Sequence, residues 1–137
     1  MKALTIQQPY AELIARGEKR VENRRWYASY RGPLAIHAGK GRDYLDLDPL
    51  GVSDASGLLV RDMAFGAIVA TCELVACIPI RDIRSLRFES RFPWLSDHWH
   101  AEGPFCFILE NINRLPQSIP CKGAQGLWDW KAEPSHA

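Results

Sequence analysis

The order of hydrophobic and polar positions along the chain predicts more strands than helices. The clearest strand runs from Gly66 to Ile80, which is rich in β-branched residues until Pro79 ends it. A turn at Arg31-Gly32-Pro33 separates two shorter strands. The remaining strands are predicted at Ala3 to Ile6, Arg20 to Trp26, Leu34 to His37 and Phe105 to Leu109, followed by an extended segment from Pro120 to Trp128.

A short helix is predicted directly after the first strand. Pro9 suits the first helical position, because the N–H that proline lacks would have no helical partner there. The apolar stripe of this helix is Tyr10, Leu13 and Ile14, and Gly17 supplies a left-handed stop. Residues 43–62 are expected to form a loop with at most one short helix, and a helical turn is possible before Pro93.

The strands follow one another without regular alternation with helices, which predicts an α+β fold. The expected architecture is a small, curved, largely antiparallel barrel with one or two peripheral helices. The chain has 137 residues, and all of them (1–137) are predicted to form a single domain. The apolar share of 47% and the charged share of 24% are ordinary for a soluble globular protein.

Compartment and redox state follow from what the chain lacks. No apolar run approaches the roughly 20 residues that cross a bilayer, and residues 1–9 do not resemble a signal peptide, so a cytoplasmic protein without a membrane partner is predicted. The four cysteines lack Cys-x-x-Cys spacing and are expected to be reduced, with Cys72 and Cys106 in the core. No structural zinc site is expected.

Charge is unevenly distributed although the net charge is only +1. Eight cations and two carboxylates lie between Arg16 and Arg42, whereas five aspartates accompany Arg61 between Asp43 and Asp62. The basic segment indicates a site for an anion such as a nucleic acid. The alternative is that the acidic segment folds onto the basic one and neutralises it.

The run from Gly17 to Trp26 concentrates these charges beside an aromatic ring. Arginine grips phosphate and stacks on bases, so Arg24 and Arg25 next to Trp26 predict a ligand-binding cleft, with a nucleotide as the ligand. The alternative is an edge strand whose charges prevent aggregation. Lys19 and Glu22 could form a proton-transfer pair in a partly desolvated cleft. They can meet only at a helix-to-strand junction or a bulge, and a plain surface ion pair, or no contact at all, is the alternative.

Other groups carry weaker signals. His98 and His100 with Asp97 and Glu102 could hold a metal ion, but the segment looks like a loop and its spacing matches no specific motif. We therefore predict neither a metal nor a cofactor. His37 is expected to be a satisfied, partly buried histidine. Lys40 lies between two glycines that allow close backbone approach, without forming a P-loop.

The chain resembles an ASCH domain over nearly its whole length. The resemblance is carried by residues 4–10, 17–24, 30–38 and 66–69, and by Lys-Gly-Ala-Gln-Gly-Leu-Trp at residues 122–128. It implies a fold similar to the PUA domain, a β-barrel of five or six strands with helices over its ends. It also implies a cleft between the barrel and the first helix, lined by Gln8, Lys19, Glu22 and Arg24, with Lys40 and Lys122 at its rim.

The same resemblance implies a function. Members of this superfamily are associated with recognition of RNA or modified nucleotides, and some are linked to RNA cleavage. One small bacterial branch hydrolyses N-acetylated cytidine with a lysine, a threonine and a glutamate. Here Lys19 matches the lysine, but Glu22 stands where the threonine would be, which weakens the analogy. For the second glutamate Glu89 and Glu102 are the candidates.

The function predicted from the sequence is binding of RNA, single-stranded nucleic acid or a modified nucleotide through a basic cleft. Lys19, Arg24 and Arg25 would meet phosphate or a base edge, Glu22 would accept from a base amino group, and Trp26 or Trp128 would stack. One alternative is a hydrolase of acylated nucleosides or RNA that uses Lys19 and Glu22. Another is a protein-interaction module marked by an exposed apolar patch. The oligomeric state is not predicted.

Overall fold

The computed structural model describes residues 1–45, 58–98 and 101–131. Its strands are β1 (Lys2–Ile6), β2 (Val21–Arg24), β3 (Gly32–Ala38), β4 (Ala67–Pro79), β5 (Phe105–Pro120) and β6 (Leu127–Asp129). They form one sheet in the order β2-β5-β4-β3-β1-β6, in which β1 and β3 are parallel and the other neighbouring pairs are antiparallel. The sheet curls into a half-barrel, which confirms the predicted α+β class.

Strands β4 and β5 account for the curvature of the sheet. Their pairing shifts register three times, and each such irregularity bends and twists a strand pair locally. β5 extends to Pro120, so the predicted end at Leu109 was wrong. Beyond Leu109 the strand is mostly polar and partly exposed, and it is extended because β4 pairs with it between Glu110 and Arg114 and again at Ile119 and Pro120.

Two short α-helices accompany the sheet in the described part of the chain. α1 spans Tyr10–Ala15, so Pro9 precedes the helix and does not occupy its first position. Gly17 has φ +80°, and the N–H groups of Glu18 and Lys19 both donate to the Leu13 carbonyl, which confirms the predicted stop. α2 spans Leu86–Arg91, where a helical turn was predicted. Single 3₁₀ turns occur at Val60–Asp62, Ile80–Asp82 and Leu95–Asp97.

The two largest clusters of the hydrophobic core form a main part and an extension. The main part fills the space between α1 and the sheet, with residues such as Leu4, Ile14 and Phe107 fully buried. The extension lies beneath α2 and the turn that follows it, where Phe92 and Leu95 pack against residues of β2, β4 and β5. This extension holds the segment after β4 against the first residues of β2.

All four cysteines are free thiols, as predicted, and Cys72 and Cys106 lie in the core. Burial raises the pKa of Cys72 to about 12 and that of Cys106 to about 11, so both are protonated at neutral pH. No helix in the described ranges is both long and apolar enough to span a membrane. Asp46, Asp48 and Asp54 lie outside the described residues, and with them most of the acidic segment considered above.

Candidate functional site

A concave cleft opens where β1 runs into α1 and faces the first residues of β2. Its volume is about 400 Å³. The walls come from the end of β1, from α1 and the connections on either side of it, from β2, and from two more distant loops that contribute one residue each. The lining residues are Thr5, Ile6, Gln7, Tyr10, Lys19, Glu22, Asn23, Arg24, Tyr44 and Glu102.

Lys19 lies at the base of this cleft because the turn at Gly17 reverses the chain between α1 and β2. Only 2% of the residue is exposed. Its Nζ is 3.4 Å from Glu22 Oε1 and also donates to the Val21 carbonyl. The two side chains therefore meet at the helix-to-strand junction, which is one of the two geometries that the sequence allowed.

Glu22 connects Lys19 to a second cation. Its other oxygen, Oε2, accepts a hydrogen bond from Arg24 Nε at 3.1 Å and forms an ion pair with Arg24 Nη2 at 2.9 Å. Arg24 Nη2 also donates to the backbone carbonyl of Thr5 at 2.7 Å. One carboxylate thus holds two cations, and the second cation ties β2 to the end of β1.

The electrostatics of the cleft are balanced. Lys19 and Arg24 are matched by Glu22 and Glu102, so the predicted basic character of the cleft was wrong. Burial lowers the pKa of Lys19, while the neighbouring carboxylates of Glu22 and Glu102 oppose that shift. Glu102 reaches the cleft because Asn23 Oδ1 accepts hydrogen bonds from the N–H groups of Glu102 and Gly103, at 3.0 and 2.8 Å.

Two tyrosines form an aromatic rim. Tyr10 and Tyr44 pack edge to face with their ring centroids 5.8 Å apart, and Lys19 Nζ is 5.7 Å from the Tyr10 ring centroid. Burial, followed by the nearby Glu102 carboxylate, raises the pKa of Tyr10. Tyr44 is 56% exposed and presents a ring at the cleft. The rim therefore offers an aromatic surface beside buried hydrogen-bonding groups.

Thr5, which lines the cleft, is held by a chain of hydrogen bonds that includes Trp128 and His37. Trp128 Nε1 donates to Thr5 Oγ1 at 3.1 Å, and Thr5 Oγ1 lies 3.1 Å from His37 Nδ1. His37 Nε2 is 2.8 Å from the Cys121 carbonyl, which can only accept, so Nε2 carries the hydrogen and Nδ1 accepts from the Thr5 hydroxyl. His37 is thus a satisfied buried histidine, as predicted, and the segment containing Trp128 holds β1 in place.

Comparison with known proteins is decisive at the level of the family. The model of the ASCH domain family matches residues 4–114, the greater part of the chain. The chain belongs to the ASCH domain family. Its resemblance to this family, stated above from sequence motifs, is thereby confirmed.

Two curated relatives are the activating signal cointegrator 1 proteins of Homo sapiens and Mus musculus. Each is 32% identical to this ASCH domain over 130 residues, a match that covers 91% of the chain. The match covers 21% of each relative, so the chain spans about a fifth of their length. Among solved structures, ASCH from Zymomonas mobilis aligns with a TM-score of 0.49 at 15% identity, covering 87% of this chain and 72% of that one.

Of the eight residues predicted to bind the ligand, the cleft contains three and leaves out five. Lys19, Glu22 and Arg24 line the cleft together. Gln8 is fully buried behind it, where its amide donates to the Ala64 carbonyl and accepts from the Glu12 N–H. The Trp26 ring packs on Phe107 with centroids 5.1 Å apart. Three exposed cations are not lining residues: Arg25, Lys40 and Lys122.

Sequence reasoning missed several lining residues, of which Tyr44 and Gln7 are the most informative. Tyr44 was counted with the acidic segment, and nothing local distinguishes it from a solvated loop tyrosine. For Gln7 there was a signal in the glycines beside Lys40. A Cβ on Gly39 or Gly41 would come within 2.8 or 2.5 Å of the Gln7 amide, so these glycines make room for Gln7.

Within the described ranges no group of three His, Cys, Asp or Glu residues could hold a metal ion. His98, considered above as a ligand, instead accepts a hydrogen bond from the Arg20 N–H through Nε2 at 3.0 Å. Desolvation lowers the pKa of His98, which favours the neutral ring that this acceptor role requires. His100 lies outside the described residues.

Proposed function

We propose that this ASCH domain binds RNA or another single-stranded nucleic acid and holds one base in the cleft. The observation that carries the proposal is the buried arrangement of Lys19, Glu22 and Arg24 at the base of a cavity with an aromatic rim. Association of ASCH domains with RNA binding or RNA-related activity supports the same reading.

The charge balance of the cleft favours a base over a phosphate as its occupant. A phosphate would bring negative charge next to Glu22 and Glu102, whereas a base is neutral and offers both donors and acceptors. The two carboxylates can accept from an amino group of the base, and Lys19 and Arg24 can donate to a ring carbonyl. A cavity of about 400 Å³ lies within the usual range for small-ligand pockets.

Single strands suit this geometry better than duplexes do. Bases in a loop or single strand are free to leave the stack and to rest on an aromatic side chain. Tyr44 supplies an exposed ring at the mouth of the cleft. In this proposal Tyr44 takes the stacking role that the sequence had assigned to Trp26 or Trp128.

The test compares two tyrosines of nearly equal exposure. Tyr44 is 56% exposed and lines the cleft, whereas Tyr27 is 55% exposed and does not. Stacking on an aromatic side chain contributes about 1–3 kcal/mol per base, so Tyr44→Ala should weaken binding of a short single-stranded RNA by roughly fivefold or more. Tyr27→Ala is the control and should bind like the wild type. Equal affinities of all three proteins, measured by fluorescence anisotropy, would reject the base site.

A second candidate, hydrolysis of an acylated nucleoside, is favoured by one observation. Lys19 is buried with a lowered pKa and lies 3.4 Å from a carboxylate, as a proton-transfer group would. In the neutral form that burial favours, Lys19 would accept a proton as water adds to the acyl carbon, and would return it to the departing amine when the C–N bond breaks. Glu102, one of the two candidates for a second glutamate, lines the cleft, and Glu89 lies on α2.

Product analysis separates binding from hydrolysis. N-acetylcytidine and RNA are each incubated with the wild type and with Lys19→Met, whose fold is checked by circular dichroism. Product that forms with the wild type and not with the variant would establish an enzyme. Binding without product would support recognition of the ligand without hydrolysis.

The protein-interaction alternative has the least support. The large apolar side chains that are most exposed in the described part of the chain are Met1, Tyr27, Tyr44 and Leu86. They belong to four separate segments and so do not suggest one contiguous apolar surface.

A further inference from the structure

Exposed arginines follow one another along the segment after β4. Arg81 lies in the 3₁₀ turn after β4, Arg84 precedes α2, and Arg87 and Arg91 are one helical turn apart within α2. The half-buried Arg20, which directly precedes β2, lies next to the same segment through its contact with Trp94. We call these five residues the arginine strip.

Aromatic rings support three members of the arginine strip. The guanidinium carbon of Arg91 is 4.9 Å from the centroid of the Phe92 ring, and that of Arg20 is 4.0 Å from the centroid of the Trp94 ring. The Phe92 and Trp94 rings contact each other edge to face at 6.2 Å, which links the two cations through packed rings. Arg87 lies over Phe88 in the same way, at 5.3 Å. A guanidinium held on a ring keeps its N–H edge available for a partner.

The arginine strip is poorly neutralised by the protein itself. Among the described residues, Arg81 has a carboxylate within ion-pair distance, Asp82 at 3.9 Å, and the other four have none. Elsewhere in the fold arginines such as Arg16 and Arg24 are paired with glutamates. Like charges that lack an ion-pair partner repel one another, and an anionic partner would relieve that repulsion.

The arginine strip and the cleft are connected along the chain by two adjacent residues. Lys19 and Arg20 are consecutive, and Lys19 lines the cleft while Arg20 lies against Trp94 on the other side of the chain. The Arg20 N–H is held by His98, so this junction is fixed.

We infer that the arginine strip binds the phosphate backbone of a single-stranded nucleic acid whose base occupies the cleft. This inference rests on the proposed function and assigns different parts of the nucleic acid to the cleft and to the arginine strip. The balanced cleft reads the base, and the unpaired arginines contact consecutive phosphates as charge-assisted donors. Nucleic acid fits this surface because its phosphates form a continuous row of anions that can follow a row of arginines.

The test uses two lengths of RNA, a trinucleotide that can fill only the cleft and a twelve-nucleotide strand that can also reach α2. Each phosphate contact in a single strand contributes about 0.7 to the slope of log affinity against log salt. Arg87→Ala/Arg91→Ala should therefore lower the slope for the long strand by about 1.4 and weaken its binding about tenfold at moderate salt. Trinucleotide affinity should stay unchanged. Arg61→Ala/Lys131→Ala removes the same charge elsewhere and should change neither.

Each outcome decides between the two sites. If the long strand binds Arg87→Ala/Arg91→Ala with the wild-type salt slope, the proposed phosphate-binding role of the arginine strip is wrong and the proposal for the cleft stands. If the long strand depends on the strip but Tyr44→Ala binds both RNAs like the wild type, the base site is wrong and the strip stands. A wild type that binds neither RNA overturns both. Strip-dependent binding to phosphatidylserine vesicles that is tighter than binding to RNA overturns the assignment to nucleic acid.

Discussion

The cleft and the arginine strip use the same kind of residue in opposite settings. In the cleft, Arg24 is held by Glu22 and by the Thr5 carbonyl, and its charge is balanced by the Glu22 carboxylate. On the strip, Arg91 lies over an aromatic ring and has no carboxylate partner among the described residues. A paired charge shapes a site, and an unpaired one is available to a partner. Local charge density in the sequence does not distinguish the two.

Removing a charge from the cleft should lower the free energy of unfolding more than removing a charge from the surface. Glu22→Gln leaves Lys19 buried without its counter-charge, and breaking a buried pair in this way costs about 3 kcal/mol of unfolding free energy. Glu18→Gln makes the same chemical change on an exposed residue and should cost less than about 0.5 kcal/mol. Urea unfolding measures both, and equal losses would mean that the cleft network does not support the fold.

The segment around Gly123, which packs behind the cleft, should be almost as sensitive to substitution. A Cβ on Gly123 would come within 2.6 Å of both His37 Cε1 and Thr5 Oγ1. Gly123→Ala should therefore displace Thr5 and cost about 2 kcal/mol, as overpacking usually does. Gln125→Ala, at an exposed position of the same segment, is the control for thermal unfolding. A Gly123→Ala protein with wild-type stability would show that the His37 and Thr5 side chains can move aside without loss of stability.

The two regions should also differ in their dependence on pH. The pKa of Lys19 in the folded protein is lowered from 10.5, so below that value the unfolded chain binds more protons than the folded one. Wild-type stability should therefore rise relative to that of Lys19→Met as the pH increases toward 10.5. The raised pKa of Tyr10 acts in the opposite direction but is present in both proteins and cancels. Arginine stays charged throughout, so Arg91→Met should give a profile parallel to the wild type.

The smallest effect on stability is expected from the strip. Exposed cation–π contacts contribute about 0.5–1 kcal/mol each, and removing two neighbouring cations also relieves repulsion. Arg87→Ala/Arg91→Ala should therefore change the unfolding free energy by less than about 1 kcal/mol while it weakens RNA binding. A loss as large as that of Glu22→Gln would show that these arginines are structural and would remove the contrast between the two regions.

Part of the site could be predicted because it lies in one short stretch of chain. The run from Gly17 to Arg24 contains the stop of α1, the buried lysine and its carboxylate partner, and the sequence allowed them to meet at a helix-to-strand junction. The rest of the cleft comes from distant residues. Glu102 reaches it through Asn23, about 80 positions away, and no local pattern encodes such a contact.

The sequence by itself determined the family, the strands with strong β-branched character, the stop at Gly17 and the reduced, buried Cys72 and Cys106. These features depend on local propensity and on side-chain chemistry, which a chain carries before it folds. Only the tertiary structure decided which charges are neutralised, how far β5 extends, and that Tyr44 borders the cleft. Those features depend on long-range pairing and burial, which arise once distant segments pack together. The physical distinction between Arg24 and Arg91 is therefore one of surroundings and not of residue type.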